Sequence, residues 1–317
     1  MLSLLILGSV FTVSQAGPGG KCRGLALAGG GDKGAYQAGV ISGLVSALPA
    51  GEAEYDVVTG VGCGALNALV FAQSAPGAEA AAAASLVSFW ESSSYSDFYE
   101  DWAGGLIEGL LQQSGLYNSA PLTATIKKLA GAGNFGRQIV VGATDLVSGD
   151  YVTFNSTLGL ADLLGGTAGS FSMAGVFPVT ALDDLVLMDG SIKFSVDILS
   201  AVTHCQALGY ANSDIIIDIA LVAGKTINPV NAANYKTLQV LIRYLEISSY
   251  DGVMQVVENA QHDFPGVTLR NVVEPSATMP NQADPWPYDF SSGDLKSMVQ
   301  MGISDATKSV GARLAYQ

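Results

Sequence analysis

Two stretches of this chain share one grammar. Residues 24–28 (GLALA) form a short apolar run closed by Gly29, Gly30 and Gly31, after which Ala35, Ala38, Val40, Ile41 and Leu44 recur at helical spacing. Residues 55–61 (YDVVTGV) form a second run, closed by Gly62, Cys63 and Gly64 and followed by Ala65, Leu66, Ala68, Leu69 and Phe71. A repeated strand, glycine loop, helix unit marks parallel strands joined by crossover helices, since parallel neighbours need a long connection. The predicted fold class is α/β with a mainly parallel central sheet.

The remaining periodicities fit that frame. Helices are expected at 78–90, 104–113 and 121–129, forming a helical insertion between sheet strands. Residues 138–144 and 151–154 flank Gly149 and Asp150 as a strand pair, and 160–171 and 194–208 read as helical. Residues 185–188 (LVLM) read as a strand ending at Asp189 and Gly190; 215–223 is a buried strand, with helices at 238–247 and 295–314 beyond it. The core is assigned to 24–200, with 201–317 completing the same domain, and 317 residues that are 49% hydrophobic suffice for one large core.

The first residues, MLSLLILGSVFTVSQAG, are apolar and uncharged and end in Ser14-Gln15-Ala16, small residues three and one positions before a cut after Ala16. Residues 1–16 therefore read as a signal peptide, too short for a membrane span, which sends the protein to the secretory lumen or outside the cell. A formal net charge of -14 argues against nucleic acid and against binding anionic lipid surfaces by charge alone, so any transient contact with membrane lipid is expected to be apolar. Cys22, Cys63 and Cys205 lack the close pairing of a metal cluster. In a secreted chain a Cys22 to Cys205 disulfide is an option that leaves Cys63 unpaired. Asn155-Ser156-Thr157 matches the N-glycosylation acceptor pattern; its bland reading is a surface turn.

Gly29-Gly30-Gly31-Asp32-Lys33-Gly34 matches G-x-G-x-x-G, which several chemistries share. A dinucleotide fold wants an acid roughly 20 residues on, at the carboxyl end of the second strand. Glu52 and Glu54 have that spacing but precede the strand. A phosphate loop needs G-K-[ST], and Lys33-Gly34-Ala35 lacks both the order and the hydroxyl. The remaining functional reading is an oxyanion hole, in which N–H groups of Gly29, Gly30 and Gly31 face a developing negative oxygen beside a helix N-terminus.

Gly60-Val61-Gly62-Cys63-Gly64 has the frame of a nucleophile elbow, G-x-S-x-G, with Gly62 where the attacking serine belongs. Moving the frame to Cys63 puts Val61 and Ala65 where the glycines should stand, so a small buried thiol is the favoured reading of Cys63 and a thiol nucleophile the lesser one. Asp189 follows a strand, where α/β folds place functional groups; its bland reading is a turn cap. His204 falls in a helical stretch and His262 in a loop-like one, so a Ser-His-Asp triad has no serine and no obvious histidine.

These blocks, in this order, resemble the patatin-like phospholipases. The matches are Gly29 to Val40 for the glycine loop and first helix, Gly60 to Ala68 for the elbow, and Ala143-Thr144-Asp145-Leu146 with Gly149. Ser172 to Val179 and finally Asp189-Gly190 complete the set, so the resemblance spans residues 24–200. It implies a three-layer α/β/α sandwich and a Ser-Asp dyad that cleaves acyl esters of lipids without metal or cofactor. By position, Gly29 to Gly31 are the oxyanion hole, Asp189 is the general base, and Gly62 takes the nucleophile's place. Ser191 stands where the family often has glycine or alanine. Three functions follow: a lipid acyl hydrolase that is weak or inactive as it stands, a non-catalytic lipid-binding pseudoenzyme, or a thiol hydrolase using Cys63.

Overall fold

A computed structural model describes residues 20–224, 229–280 and 290–315. The segment read as a signal peptide, 1–16, lies outside them. Eight strands form one sheet: β1 (Cys22–Leu27), β2 (Val57–Val61), β3 (Gln138–Asp145), β4 (Tyr151–Asn155), β5 (Thr180–Leu182), β6 (Leu185–Asp189), β7 (Ile215–Ala220) and β8 (Thr268–Val273). Their order is β5-β6-β3-β2-β1-β7-β8, with β4 pairing β3 off this path. The run β3-β2-β1-β7-β8 is parallel, and the β3–β4, β3–β6 and β5–β6 pairs are antiparallel. The central strands are buried on both sides, which is why they read as unbroken apolar runs.

Nine helices are described: α1 (Gly34–Ala47), α2 (Cys63–Phe71), α3 (Glu79–Ser92), α4 (Gly105–Gln112), α5 (Ala120–Ala130), α6 (Leu160–Phe171), α7 (Ile198–Ala207), α8 (Thr237–Asp263) and α9 (Ser292–Ala315). The link from β1 through α1 to β2 moves one way across the sheet, and that from β7 through α8 to β8 moves the other. Because parallel crossovers are right-handed, α1 and α8 lie on opposite faces. α9 packs along α1, and α7 packs on β1, β2 and β7 beneath α8, which gives a three-layer arrangement. The two directions of travel diverge between neighbouring strands β1 and β7. At such a switch point open α/β folds place ligands beyond the carboxyl ends of the strands.

Three elements departed from sequence expectation because tertiary contacts override local signals. The helix expected at 238–247 continues to Asp263, through the weak helix formers of 248–252, because Val253 and Ala260 are buried further along it. His262 thus sits in the last turn of α8, not in a loop, where it is exposed beside Asp263. β8 was not expected, because Arg270 and Asn271 interrupt its apolar pattern; both side chains are buried and hydrogen-bonded to Asp218 of β7. The short strand β5 was also unforeseen.

Cys22 and Cys205 form a disulfide, Cα to Cα 5.8 Å, that ties α7 to the first residue of β1. Asn155 closes β4 in a turn, its Oδ1 accepting the Thr157 N–H at 2.9 Å. Glu52, at the opposite end of the sheet from the glycine loops, pairs with Arg23 and Arg270.

Candidate active site

The elbow is built by close backbone approach. A side chain on Gly60 would collide with the Gly64 carbonyl, and one on Gly64 with the Leu27 carbonyl, so both glycines are demanded by the distance between β1, β2 and the start of α2. Gly62 caps α2 with φ 56° and ψ -124°, in the region where a side chain is strained and glycine is not. The direction in which it would carry a side chain is set by the backbone. A Cβ there would lie 3.1 Å from Gly29 Cα, 3.7 Å from Asp189 Oδ1 and 3.7 Å from the Gly30 nitrogen. One position in space thus adjoins the carboxylate and the glycine loop together.

Ser170 of α6 fixes that turn. Its Oγ accepts the Gly62 N–H at 2.8 Å and donates to the Gly142 carbonyl at 2.5 Å, bridging the elbow to β3. The sequence carries no signal for this role, since Ser170 sits inside an otherwise apolar helical face. The glycine loop is held from below. Gln37 donates to the Ala28 carbonyl at 2.6 Å and the Ala220 carbonyl at 3.2 Å, and Asn67 donates to the Gly34 carbonyl and Gln37 Oε1 and accepts from Trp90 Nε1 at 2.7 Å. These side chains are all buried, so a satisfied polar network rigidifies the loop.

Within the loop, the Gly29 N–H donates to the Ser195 carbonyl at 2.9 Å. The N–H groups of Gly30 and Gly31 have no acceptor among the described residues. They stand just before α1, where orphan N–H groups and the helix dipole favour negative charge.

Asp189 ends β6, opposite Ala143 of β3. Its N–H donates to the Ser172 carbonyl at 2.9 Å, and its Oδ1 accepts the Ser191 N–H at 2.9 Å, so the turn-capping reading of this residue also holds. Asp145 braces the strand. It accepts the Ser148 hydroxyl, the Ser148 and Val147 N–H groups and the Val186 N–H of β6, which hold its pKa down at about 2.

Burial pushes the Asp189 carboxyl above its ordinary value of 3.8, against the opposing pull of the Ser191 N–H and hydroxyl. A raised folded pKa means that the stabilising contribution is present below 3.8 and lost as pH rises through the folded value. Asp189→Asn keeps an acceptor for Ser191 and removes the charge. It is expected to resist urea better than the wild type at pH 7, with the gap closing as pH falls below 3.8; a variant less stable at pH 7 would contradict this account.

The other candidate residues lie apart from this constellation. Cys63 is buried, its thiol pointing inward to the Ala28 carbonyl at 3.7 Å and Gln37 Oε1 at 3.9 Å, and burial drives its pKa upward. A thiol held protonated by burial is a poor nucleophile. His204 Nδ1 sits 2.9 Å from the Ser200 carbonyl of its own helix. Among the described residues no group of three or more His, Cys, Asp or Glu could hold a metal ion.

The sequence profile of the patatin-like phospholipase family matches residues 25–202. No curated protein matches the chain. Among solved structures it is similar to VipD from Legionella pneumophila, at 10% identity over 92% of this chain and 67% of that one, with a TM-score of 0.46.

Proposed function

Because the chain belongs to the patatin-like phospholipase family, a family of lipid acyl hydrolases, we propose that it binds acyl esters of lipids in the crevice over Gly62 and hydrolyses them only weakly. The observation that carries this reading is the direction of the missing side chain, toward Asp189 Oδ1 and the Gly30 nitrogen. In this reading the ester carbonyl oxygen accepts from the Gly30 and Gly31 N–H groups, while Gly29 shapes the floor that lets the acyl group approach. Asp189 serves as general base, and the elbow supplies no attacking atom. Lipid holding without useful turnover is the limiting case, a pseudoenzyme. The burial of Cys63 weighs against a thiol mechanism.

Hydrolysis of a p-nitrophenyl acyl ester tests the reading: slow turnover that disappears in Asp189→Ala is expected, and robust turnover indifferent to Asp189→Ala would overturn it. Secretion is part of the proposal. It is supported by the apolar stretch at 1–16 and by the Cys22–Cys205 disulfide, a bond that persists in oxidising compartments.

Contact with a lipid surface is proposed through α4. Leu106, Ile107, Leu110 and Leu111 are 52%, 71%, 70% and 73% exposed and share one face of the helix. Glu108 is tied to the Gly104 N–H and Gln113, so its charge stays with the helix ends. The chain beyond α4 pairs through Leu116 and Tyr117 with Gly175 and Val176, the segment between α6 and β5, which connects this face to the site. No helix among the described residues is long and apolar enough to cross a membrane. With a net charge of -14, the surface it fits is electrically neutral.

Burying a large apolar side chain contributes about 1.5–3 kcal/mol. The double variant Ile107→Glu, Leu110→Glu is therefore expected to sediment with phosphatidylcholine vesicles at least about tenfold less than the wild type. Unchanged sedimentation would remove α4 from the account.

A further inference from the structure

Ser191 holds the one hydroxyl of the constellation that the chemistry above does not use. It follows Asp189 and Gly190 in the turn that leaves β6, and its N–H donates to Asp189 Oδ1 at 2.9 Å. Its Oγ is buried and makes no well-aligned hydrogen bond among the described residues, though it lies close enough to the Asp189 carboxyl to pull on it. That oxygen stands where a side chain on Gly29 would have to go. Gly29 Cα is in turn 3.1 Å from the point where Gly62 would place a Cβ. Position 62 and the Ser191 hydroxyl therefore both adjoin Gly29, and the Asp189 carboxyl is near both. Leaving a buried hydroxyl unsatisfied costs free energy, and an alanine here would avoid that cost. A hydroxyl left without a well-aligned partner beside a half-buried carboxylate fits one that arrives with the substrate.

We propose that Ser191 is the nucleophile of this protein, relocated from the elbow to the residue two places after the base. The proposal rests on the reading that the acyl ester lies in this crevice. Rotation about one torsion, which takes picoseconds to nanoseconds, moves Oγ off Gly29 toward the ester carbon. Asp189 takes the hydroxyl proton as the bond from Ser191 Oγ to the carbonyl carbon forms, and the carbonyl oxygen becomes an oxyanion at the Gly30 and Gly31 N–H groups. Collapse breaks the bond to the alcohol, which leaves with the proton from Asp189, and the acyl group stays on Ser191. Water then adds to that acyl ester, giving a proton to Asp189. The fatty acid leaves as the bond to Ser191 breaks, and the proton returns to Oγ. The turn holding Ser191 lacks the strained, exposed mounting of an elbow, so its turnover is expected to be slow.

The test is reaction with an octyl fluorophosphonate, followed by peptide mapping, on the wild type, Ser191→Ala, Gly62→Ser and the double variant Gly62→Ser, Ser191→Ala. The expected result is a phosphonyl adduct on Ser191 in the wild type and none in Ser191→Ala, whose ester hydrolysis falls to the rate of buffer. The double variant is expected to be labelled at position 62, which shows that the crevice survives loss of the Ser191 hydroxyl. A wild type that stays unlabelled while Gly62→Ser reacts, or an adduct on another residue, overturns the role of Ser191 and leaves the crevice reading standing. Failure of both the wild type and Gly62→Ser to react overturns both.

Discussion

Gly62→Ser is expected to raise acyl-ester hydrolysis by about 10⁴-fold or more, because losing a member of a hydrolytic constellation typically costs on the order of 10⁴ to 10⁶ in rate. In the proposed reading the gain is large because the new side chain would adjoin Asp189 and the glycine loop directly. The new Cβ falls 3.7 Å from Asp189 Oδ1 and 3.7 Å from the Gly30 nitrogen, so its hydroxyl starts between the carboxylate and the glycine loop. The substitution also has a cost. A side chain at φ 56° is strained by about 1–3 kcal/mol, and the contact with Gly29 Cα at 3.1 Å is tight, so the variant is expected to unfold at lower urea. Activity gained at the expense of stability is the usual trade at such sites. Measuring kcat/KM on p-nitrophenyl octanoate alongside urea denaturation reads both effects, and adding Asp189→Ala is expected to return the rate close to background.

Asp218→Ala is expected to destabilise the protein by about 3–5 kcal/mol, the loss typical of breaking a buried ion pair from one side. Asp218 is fully buried in β7 and accepts from Arg270 Nε at 3.0 Å and Nη2 at 2.5 Å, from the Tyr55 hydroxyl at 2.8 Å, and from Asn271 N and Nδ2 at 3.1 and 2.8 Å. Without it the buried Arg270 guanidinium keeps only the Glu52 carboxylate and carbonyl, and the Tyr55 hydroxyl and Asn271 amide lose their acceptor. Since domains are stable by only about 5–15 kcal/mol, the urea midpoint is expected to fall steeply. The double variant Asp218→Leu, Arg270→Met removes both charges and is expected to lose much less. Equal losses in the two would show that packing, not the stranded charge, sets the cost.

The parts of the fold that were legible in the sequence are those whose signal is local. β1 and α1, then β2 and α2, announce themselves because buried parallel strands are unbroken apolar runs and the glycine loops punctuate them. The elbow glycines were legible for the same reason: Gly60 and Gly64 are required by backbone contacts that no side chain tolerates. What could not be read is what long-range pairing decides. β8 contains Arg270 and Asn271, which are tolerable in a buried strand only because Asp218 faces them from β7, 52 and 53 residues away in sequence. Ser170 holds the elbow from a helix 108 residues further along the chain, and nothing in its neighbours marks it. The division of labour within Gly29 to Gly31 also needed the Ser195 carbonyl, which takes up the first N–H and leaves the other two.

In the proposed reading the crevice is an acyl-hydrolase site whose elbow lacks a nucleophile at position 62. The most direct test of that reading is a crystal structure of Gly62→Ser after reaction with an alkyl fluorophosphonate. The account predicts the phosphonyl group on the introduced serine, with its oxygen accepting from the Gly30 and Gly31 N–H groups and the Asp189 carboxylate beside it. An adduct whose oxygen points away from those two N–H groups, or an introduced serine that does not react, would contradict it.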